Sequence, residues 1–198
     1  MSTAADHAAE ATAADNAALR VRQGGGARYD AAEAPAENLL LARRGTAYFA
    51  RLLNALPDDV LVDNSAVVGQ TRAQIVAGVG YHARGLARLM EGARRGVETP
   101  EHHSLAAQRA EVILGSSLPA RALRGLFDHA AIHLDVEWRD LPGPAWDTQL
   151  RRLDGQIITA RDTPIIRAQM IWQAALDLDA GAQISDIPPS LRAEALLK

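Results

Sequence analysis

Apolar residues recur at intervals of three and four along most of this chain. The clearest run begins near Ala36 and ends at Pro57, with apolar side chains at Leu39, Leu40, Tyr48, Phe49, Leu52, Leu53 and Leu56. Because an α-helix turns once in about 3.6 residues, this spacing places the apolar side chains on one face. Such a face is buried by packing against other helices, so the pattern predicts a mainly all-α fold.

Capping and breaking residues mark the next two helices. Thr71 is a suitable N-cap for a second helix, which is predicted to end near Gly92 or Gly96. A short helix is expected over residues 105–114, after a loop that contains Pro100.

The second half of the chain contains two more long helical patterns. Pro119 suits the first turn of a helix that continues to about Trp138, and a last long helix is predicted from Asp162 to about Asp179. Between them, residues 149–159 include a β-prone stretch and are expected to hold a strand or an extended segment. The sequence therefore predicts a four-helix bundle with a long crossover and short accessory helices.

The N-terminal stretch differs in composition from the rest. Residues 1–35 are rich in alanine and acidic residues, contain three consecutive glycines and offer little apolar surface. We predict a mobile tail over 1–35 and a bundle domain over 36–198, with a short amphipathic N-terminal helix as the alternative for the tail. The stretch has neither the basic start nor the apolar centre of a secretory signal, so a cytoplasmic location is expected.

Composition excludes several classes of function. A formal net charge of −3 gives no broad surface for nucleic acid, and no apolar run approaches the roughly 20 residues that span a membrane. The chain has no cysteine, which excludes disulfides, thiolate metal sites and a protein thiol nucleophile. Any thiol chemistry needs a thiol cofactor. We expect a small-molecule substrate as the partner, and the sequence leaves a homodimer open.

Several stretches occur in an order and spacing that is typical of one family. They are Val68–Arg72, Leu86–Arg94, Arg109–Gly115 with Pro119, Leu141–Pro142 with Trp146, and Arg167–Leu178 with the later Ser185–Pro188 turn. Together they resemble the mycothiol-dependent maleylpyruvate isomerase family, whose N-terminal domain is a DinB-like helical bundle. The sequence stops shortly after the bundle, so we expect the family's C-terminal domain to be absent. The resemblance allows mycothiol as a cofactor, and no other cofactor is predicted.

The resemblance also implies a metal site, and here the chain departs from the family. Family members hold a divalent metal through a histidine on the second helix and a glutamate and a histidine on the last. Aligned through the flanking motifs, these ligands fall on Gly78, Met170 and Ala174. Glycine and alanine carry no donor, and a thioether is a poor zinc ligand. We therefore predict a metal-free cavity at this place.

If a cavity lies there, the second helix and the last helix supply its walls. The residues expected to bind substrate are Gln74, Gly78, Gly85, Met170, Gln173, Ala174 and Asp177. The expected catalytic residues are His82 as acid or base, Tyr81 as a hydrogen-bond donor to a carbonyl or enolate, and Arg167 as a carboxylate anchor. Each catalytic candidate has a structural alternative. We expect open space at Gly78 and close helix packing at Gly80.

A different metal site is a less favoured alternative. His129 and His133 are four residues apart on the third long helix, and with His82 they make a hypothetical zinc site. His102 and His103 fall in a predicted loop and are expected to be solvated.

The sequence supports three hypotheses for the function. The leading hypothesis is a metal-independent biosynthetic enzyme that catalyses isomerisation, cyclisation or a related rearrangement of a small, fairly apolar metabolite. The first alternative is a mycothiol-dependent thiol transferase or thiol-adduct processing enzyme. The second is a non-catalytic small-molecule binding protein.

Overall fold

The computed structural model describes residues 29–195, and most of them are helical. The α-helices are α1 Ala36–Ala55, α2 Arg72–Arg95, α3 Leu105–Ser116, α4 Ala120–Asp140, α5 Thr163–Asp177 and α6 Pro189–Ala195. Short 3₁₀ turns cover Asp59–Val62, Gly143–Asp147, Ala160–Asp162 and Ile184–Asp186. The predicted mainly helical fold is confirmed. None of the helices within 29–195 is long and apolar enough to cross a membrane.

Four long helices form the bundle, and they pack in two pairs. α1 lies against α5 and α2 lies against α4, while α3 packs on the outer side of α2. Small residues on α2 allow the close approach of α4: a Cβ at Gly80 would lie 3.1 Å from Leu126 Cγ. Between α1 and α4, the rings of Phe49 and Phe127 are 5.2 Å apart and fill the core.

α2 is held at both ends by local interactions. The Thr71 hydroxyl accepts from the Gln74 amide, and the Gln74 side-chain oxygen accepts from the Thr71 amide at 2.9 Å, which completes a capping box. The helix ends at Gly96, whose φ of 67° lies in the left-handed region that favours glycine. The predicted N-cap and the later of the two predicted ends are both correct.

A small β-hairpin connects α4 to α5. β1 (Gln149–Arg151) pairs with β2 (Ile157–Thr159) in antiparallel register, and Leu150 faces Ile158. These two side chains are buried against the bundle while their neighbours along each strand are more exposed. The extended segment expected at residues 149–159 is therefore a hairpin.

Residues 29–35 do not behave as the tail that the sequence suggested. Arg43 on α1 binds the Asp30 carboxylate at 2.6 and 2.8 Å, and Arg161 donates to the Glu33 carbonyl. Ala31 and Ala34 pack against the core. This part of the prediction is wrong because ion pairs and small apolar contacts hold the segment on the bundle. Residues 1–28 of the predicted tail lie outside the described part of the chain.

Candidate functional site

A cavity of about 370 Å³ opens between α2 and α5 and is closed on one side by α3. We call it the α2–α5 cavity. Its walls consist of Gln70, Gln74, Ile75, Gly78, His82, Val112, Ile166, Gln169, Met170, Gln173, Ala174 and Asp177. The three positions aligned with metal ligands, at Gly78, Met170 and Ala174, all lie in this wall. Helices far apart in sequence thus bring the three positions to one place.

Gly78 leaves real space in the cavity wall. A Cβ built at Gly78 meets no atom within 4 Å, whereas one at Gly80, two residues on, meets Leu126. Glycine costs helix stability of about 1 kcal/mol relative to alanine. At Gly80 close helix packing accounts for that cost, and at Gly78 the absent side chain enlarges the cavity.

His82 is the imidazole in this wall. Its Nδ1 lies 3.3 Å from Nη1 of Arg167, and His82 is one turn beyond Gly78 on the same side of α2. Burial, and then the nearby positive charge of Arg167, hold the pKa of His82 well below its usual value, with smaller contributions from Arg152 and His102. The ring is therefore neutral at physiological pH.

Arg167 is a buried cation without a counter-ion. Its side chain is 1 % exposed, Nη1 donates to the Val79 carbonyl at 2.9 Å and lies 3.7 Å from the Met170 sulfur, and Nη2 has no hydrogen-bond partner. None of the described ion pairs includes Arg167. Burial lowers its pKa to about 9, which still leaves it protonated at neutral pH.

The position of Arg167 differs from the one expected of a carboxylate anchor. It lies behind His82 and does not line the α2–α5 cavity. Instead it forms part of the floor of a second depression, of about 510 Å³, between α1 and α4. Arg167 thus contacts two residues of the α2–α5 cavity wall, His82 and Met170, from behind.

Tyr81 and Gly85 do not line the cavity either. Tyr81 points toward α3, where a Cβ at Gly115 would lie 2.6 Å from its ring, and the Arg84 guanidinium stacks 5.4 Å from the ring centre. Gly85 is covered because the loop after α2 folds back over it, so that a Cβ there would lie 2.8 Å from His102 Nε2. Tyr81 is therefore not placed to donate to a ligand in the α2–α5 cavity, and Gly85 is not placed to contact one.

His102, which was expected to be solvated, is 4 % exposed. Its Nδ1 lies 3.0 Å from the Glu111 carboxylate, and the neighbouring Glu101 carboxylate, also buried, accepts from Arg152 and from the Leu153 amide. These contacts anchor the loop to α3 and to the segment after β1, and the Glu101 carbonyl also accepts from Arg88 of α2 at 2.7 Å. The sequence carried no signal for the Glu101 contacts, because they join residues 51 and 52 positions apart, whereas Glu111 follows His102 by nine residues.

Some polar side chains of the cavity wall already form hydrogen bonds within the protein. Gln173 Nε2 donates to the Asp177 carboxylate at 2.8 Å, and the Gln173 oxygen is buried without a partner. Gln74 lines the cavity, but its side chain is held by the cap of α2. Five lining residues were not predicted from the sequence: Gln70, Ile75, Val112, Ile166 and Gln169. Ile166 and Gln169 are four residues before Met170 and Gln173 and share their helix face.

The residues present do not fit a bound metal ion. Between residues 29 and 195, no group of three or more histidine, cysteine, aspartate or glutamate side chains is placed to hold one. His129 and His133 lie on the exposed face of α4, and His133 is 3.6 Å from Glu137 instead of near His82. The alternative site made of His82, His129 and His133 is therefore not formed.

Comparisons with known proteins agree with this architecture. Residues 42–178 match the family model described as the mycothiol maleylpyruvate isomerase N-terminal domain. Crystal structures of the mycothiol-dependent maleylpyruvate isomerase and of a histidine-to-alanine mutant of that enzyme are each similar to the chain, with 36 % identity and a TM-score of 0.78. Each alignment covers 79 % of this chain and 65 % of the solved chain, so this chain spans about two thirds of their length. No curated protein sequence matches.

Proposed function

Since the chain belongs to the mycothiol maleylpyruvate isomerase N-terminal domain family, we propose that it is an isomerase-like enzyme whose α2–α5 cavity works without a metal ion. The reaction is an isomerisation, cyclisation or related rearrangement of a small metabolite in a biosynthetic pathway. One observation carries the proposal. The three positions aligned with the family's metal ligands, Gly78, Met170 and Ala174, line one cavity and supply no ligand.

The lining favours a fairly apolar, weakly charged substrate. The wall combines neutral polar and apolar side chains, and no arginine or lysine belongs to it. The apolar ones are Ile75, Val112, Ile166, Met170 and Ala174, and the neutral amides are Gln70, Gln74, Gln169 and Gln173. Asp177 contributes a carboxylate. A small dianion such as maleylpyruvate would lose its hydration without gaining a cation, which is costly in a site of this kind. A neutral or monoanionic metabolite of matching volume avoids that cost.

Metal analysis and turnover together test the proposal. Purified protein is expected to contain no stoichiometric divalent metal, and maleylpyruvate with mycothiol is expected to give no turnover, with or without added zinc. Thermal-shift screening of neutral and monoanionic metabolites is expected to find a ligand whose effect disappears in Gly78→Leu, because the leucine side chain fills the cavity. Zinc-dependent isomerisation of maleylpyruvate by the wild-type chain would overturn the proposal.

A second candidate keeps the thiol of the family. Both similar structures are of a mycothiol-dependent enzyme, so this chain is alternatively a mycothiol transferase or a thiol-adduct processing enzyme. The test is a thermal-shift titration with mycothiol. A shift at millimolar thiol that is lost in Gly78→Leu supports this candidate, and no shift in the wild type excludes it.

His82→Ala separates catalysis from simple binding. If the protein is an enzyme, this variant loses turnover of the screened ligand and retains much of the affinity. If the protein only binds and carries a ligand, no turnover is seen in the wild type.

A further inference from the structure

The pairing of His82 with Arg167 restricts which nitrogen of the imidazole carries the proton. A guanidinium has only donors, and its Nη1 lies 3.3 Å from His82 Nδ1. If Nδ1 carried a proton, this proton and an Nη1 proton of Arg167 would point at each other, and no acceptor would lie between them. The favourable arrangement has an unprotonated Nδ1 that accepts from Arg167, and a neutral ring then carries its proton on Nε2.

The other ring nitrogen is free to meet a ligand. None of the described hydrogen bonds uses His82 Nε2, and this atom is not one of the buried polar atoms without a partner. His82 itself lies in the wall of the α2–α5 cavity. Nε2 therefore remains available for a molecule in that cavity.

We propose that Arg167 holds His82 as the Nε2–H tautomer, so that His82 donates a hydrogen bond to a carbonyl oxygen of the substrate and does not act as a base. Arg167 is the positioning residue and His82 is the residue that touches the substrate. The substrate class is then an apolar carbonyl compound. This inference rests on the proposed use of the α2–α5 cavity and names the ligand chemistry for it.

The arrangement suits a carbonyl oxygen that gains negative charge during the reaction. A donor fixed in advance stabilises such charge without reorganising, and a low-dielectric site strengthens the effect. The buried guanidinium behind the ring adds positive potential along the same line, because no counter-ion neutralises it. No proton leaves His82 in this role. The unpaired cation, which is costly for folding, thereby has a function.

The first test is spectroscopic and needs no substrate. In ¹⁵N-histidine-labelled wild-type protein, the His82 signals are assigned by their absence from His82→Gln. Long-range proton–nitrogen correlation spectra near neutral pH are expected to show a protonated Nε2 and an unprotonated Nδ1. The titratable groups that act on the ring are Arg167 of α5, Arg152 after β1 and His102 of the α2–α3 loop. An Nδ1–H tautomer or an imidazolium at neutral pH overturns the inference.

A matched pair of variants tests the cause. Arg167→Met removes the donor and the charge and is expected to raise the population of the Nδ1–H tautomer. Arg95→Met, about 20 Å along α2 from His82, removes an exposed guanidinium and is expected to leave the His82 signals unchanged. An unchanged tautomer in folded Arg167→Met overturns the positioning role. The wild-type spectrum remains decisive if that variant fails to fold.

Two isosteric probes test the ligand class. Cyclohexanone offers a carbonyl acceptor, and methylenecyclohexane has nearly the same shape without one. The ketone, at millimolar concentration, is expected to move the His82 Nε2–H signal, and the alkene is expected to move it much less. Equal shifts, or no shift with either probe, overturn donation to a carbonyl oxygen. Failure of the proposed function would instead appear as zinc-dependent turnover of maleylpyruvate, which these spectra do not measure.

Discussion

Alanine substitution at Gly78, in the wall of the α2–α5 cavity, should stabilise the protein. Gly78 is within α2, and a Cβ at this position meets no atom within 4 Å. The gain in helix propensity, about 1 kcal/mol, is therefore not opposed by a steric cost. In a chain of this size such a gain raises Tm by about 2–4 °C. Urea denaturation of wild type and Gly78→Ala measures it directly.

Two other helical glycines provide matched controls. A Cβ at Gly125 of α4 also meets nothing within 4 Å, and Gly125 lies outside the α2–α5 cavity, so Gly125→Ala should be stabilising by a similar amount. A Cβ at Gly45 of α1 would lie 2.6 Å from Ile171 Cγ2 and 2.8 Å from Trp172 Nε1. Gly45→Ala should destabilise by about 1–3 kcal/mol, because overpacking outweighs the propensity gain.

Ligand binding separates Gly78 from Gly125. A ligand found by the thermal-shift screen should bind more weakly to Gly78→Ala, because the added methyl group enters the cavity, and equally well to Gly125→Ala. The reasoning is refuted if Gly78→Ala is destabilised by more than about 0.5 kcal/mol, or if both variants bind equally. Destabilisation would mean that the space beside Gly78 is not open, and equal binding would mean that this space is not the site.

Three further predictions concern the charge, the lost ligands and the α1–α5 contact. Near pH 7, Arg167→Met should be more stable than wild type by about 1–4 kcal/mol in urea denaturation, because a buried unpaired cation is removed. The pKa of Arg167 is about 9 in the folded protein, below its value in the unfolded chain, so the free energy of unfolding of the wild type rises with pH above about 9. The stability difference between Arg167→Met and wild type should therefore shrink there. A difference that grows above pH 9 would contradict a buried, unpaired Arg167. The triple variant Gly78→His, Met170→Glu, Ala174→His should bind zinc, which metal analysis detects. Its free energy of unfolding should rise by about 2.7 kcal/mol when free zinc is at a hundred times its Kd, whereas Gly78→His alone should show neither effect. Trp172→Phe should lower the free energy of unfolding by about 1 kcal/mol, because the indole donates at 3.1 Å to the Leu41 carbonyl of α1. Unchanged stability would show that this hydrogen bond contributes nothing.

The unpaired charge of Arg167 links the chemistry of the site to its stability. A family glutamate is implied at the position of Met170, one turn after Arg167 on the same side of α5, and the thioether that replaces it cannot neutralise a guanidinium. Burial, and then the positive charge of Arg167, both lower the pKa of His82.

Local sequence determined the secondary structure and part of the cavity wall. The capping box at Thr71, the left-handed turn at Gly96 and the hairpin at 149–159 each depend on residues close together in the chain. The prediction that Gly78 offers space and Gly80 packs closely also agrees with the structure, because both lie on one helix whose period is known.

The tertiary structure decided which side chains act together. Whether Arg167 enters the cavity or lies behind His82 depends on a contact between residues 85 positions apart. Likewise, Gly85 has nearly the same helical direction as Gly78, and only the folded-back loop with His102 separates a covered glycine from an open one. Helical periodicity specifies a face, but it does not specify what covers that face. The sequence thus indicated Gly78, Met170 and Ala174 as the positions at which the family resemblance implies metal ligands. Packing between distant segments decided that His82, with Arg167 behind it, lies beside these positions.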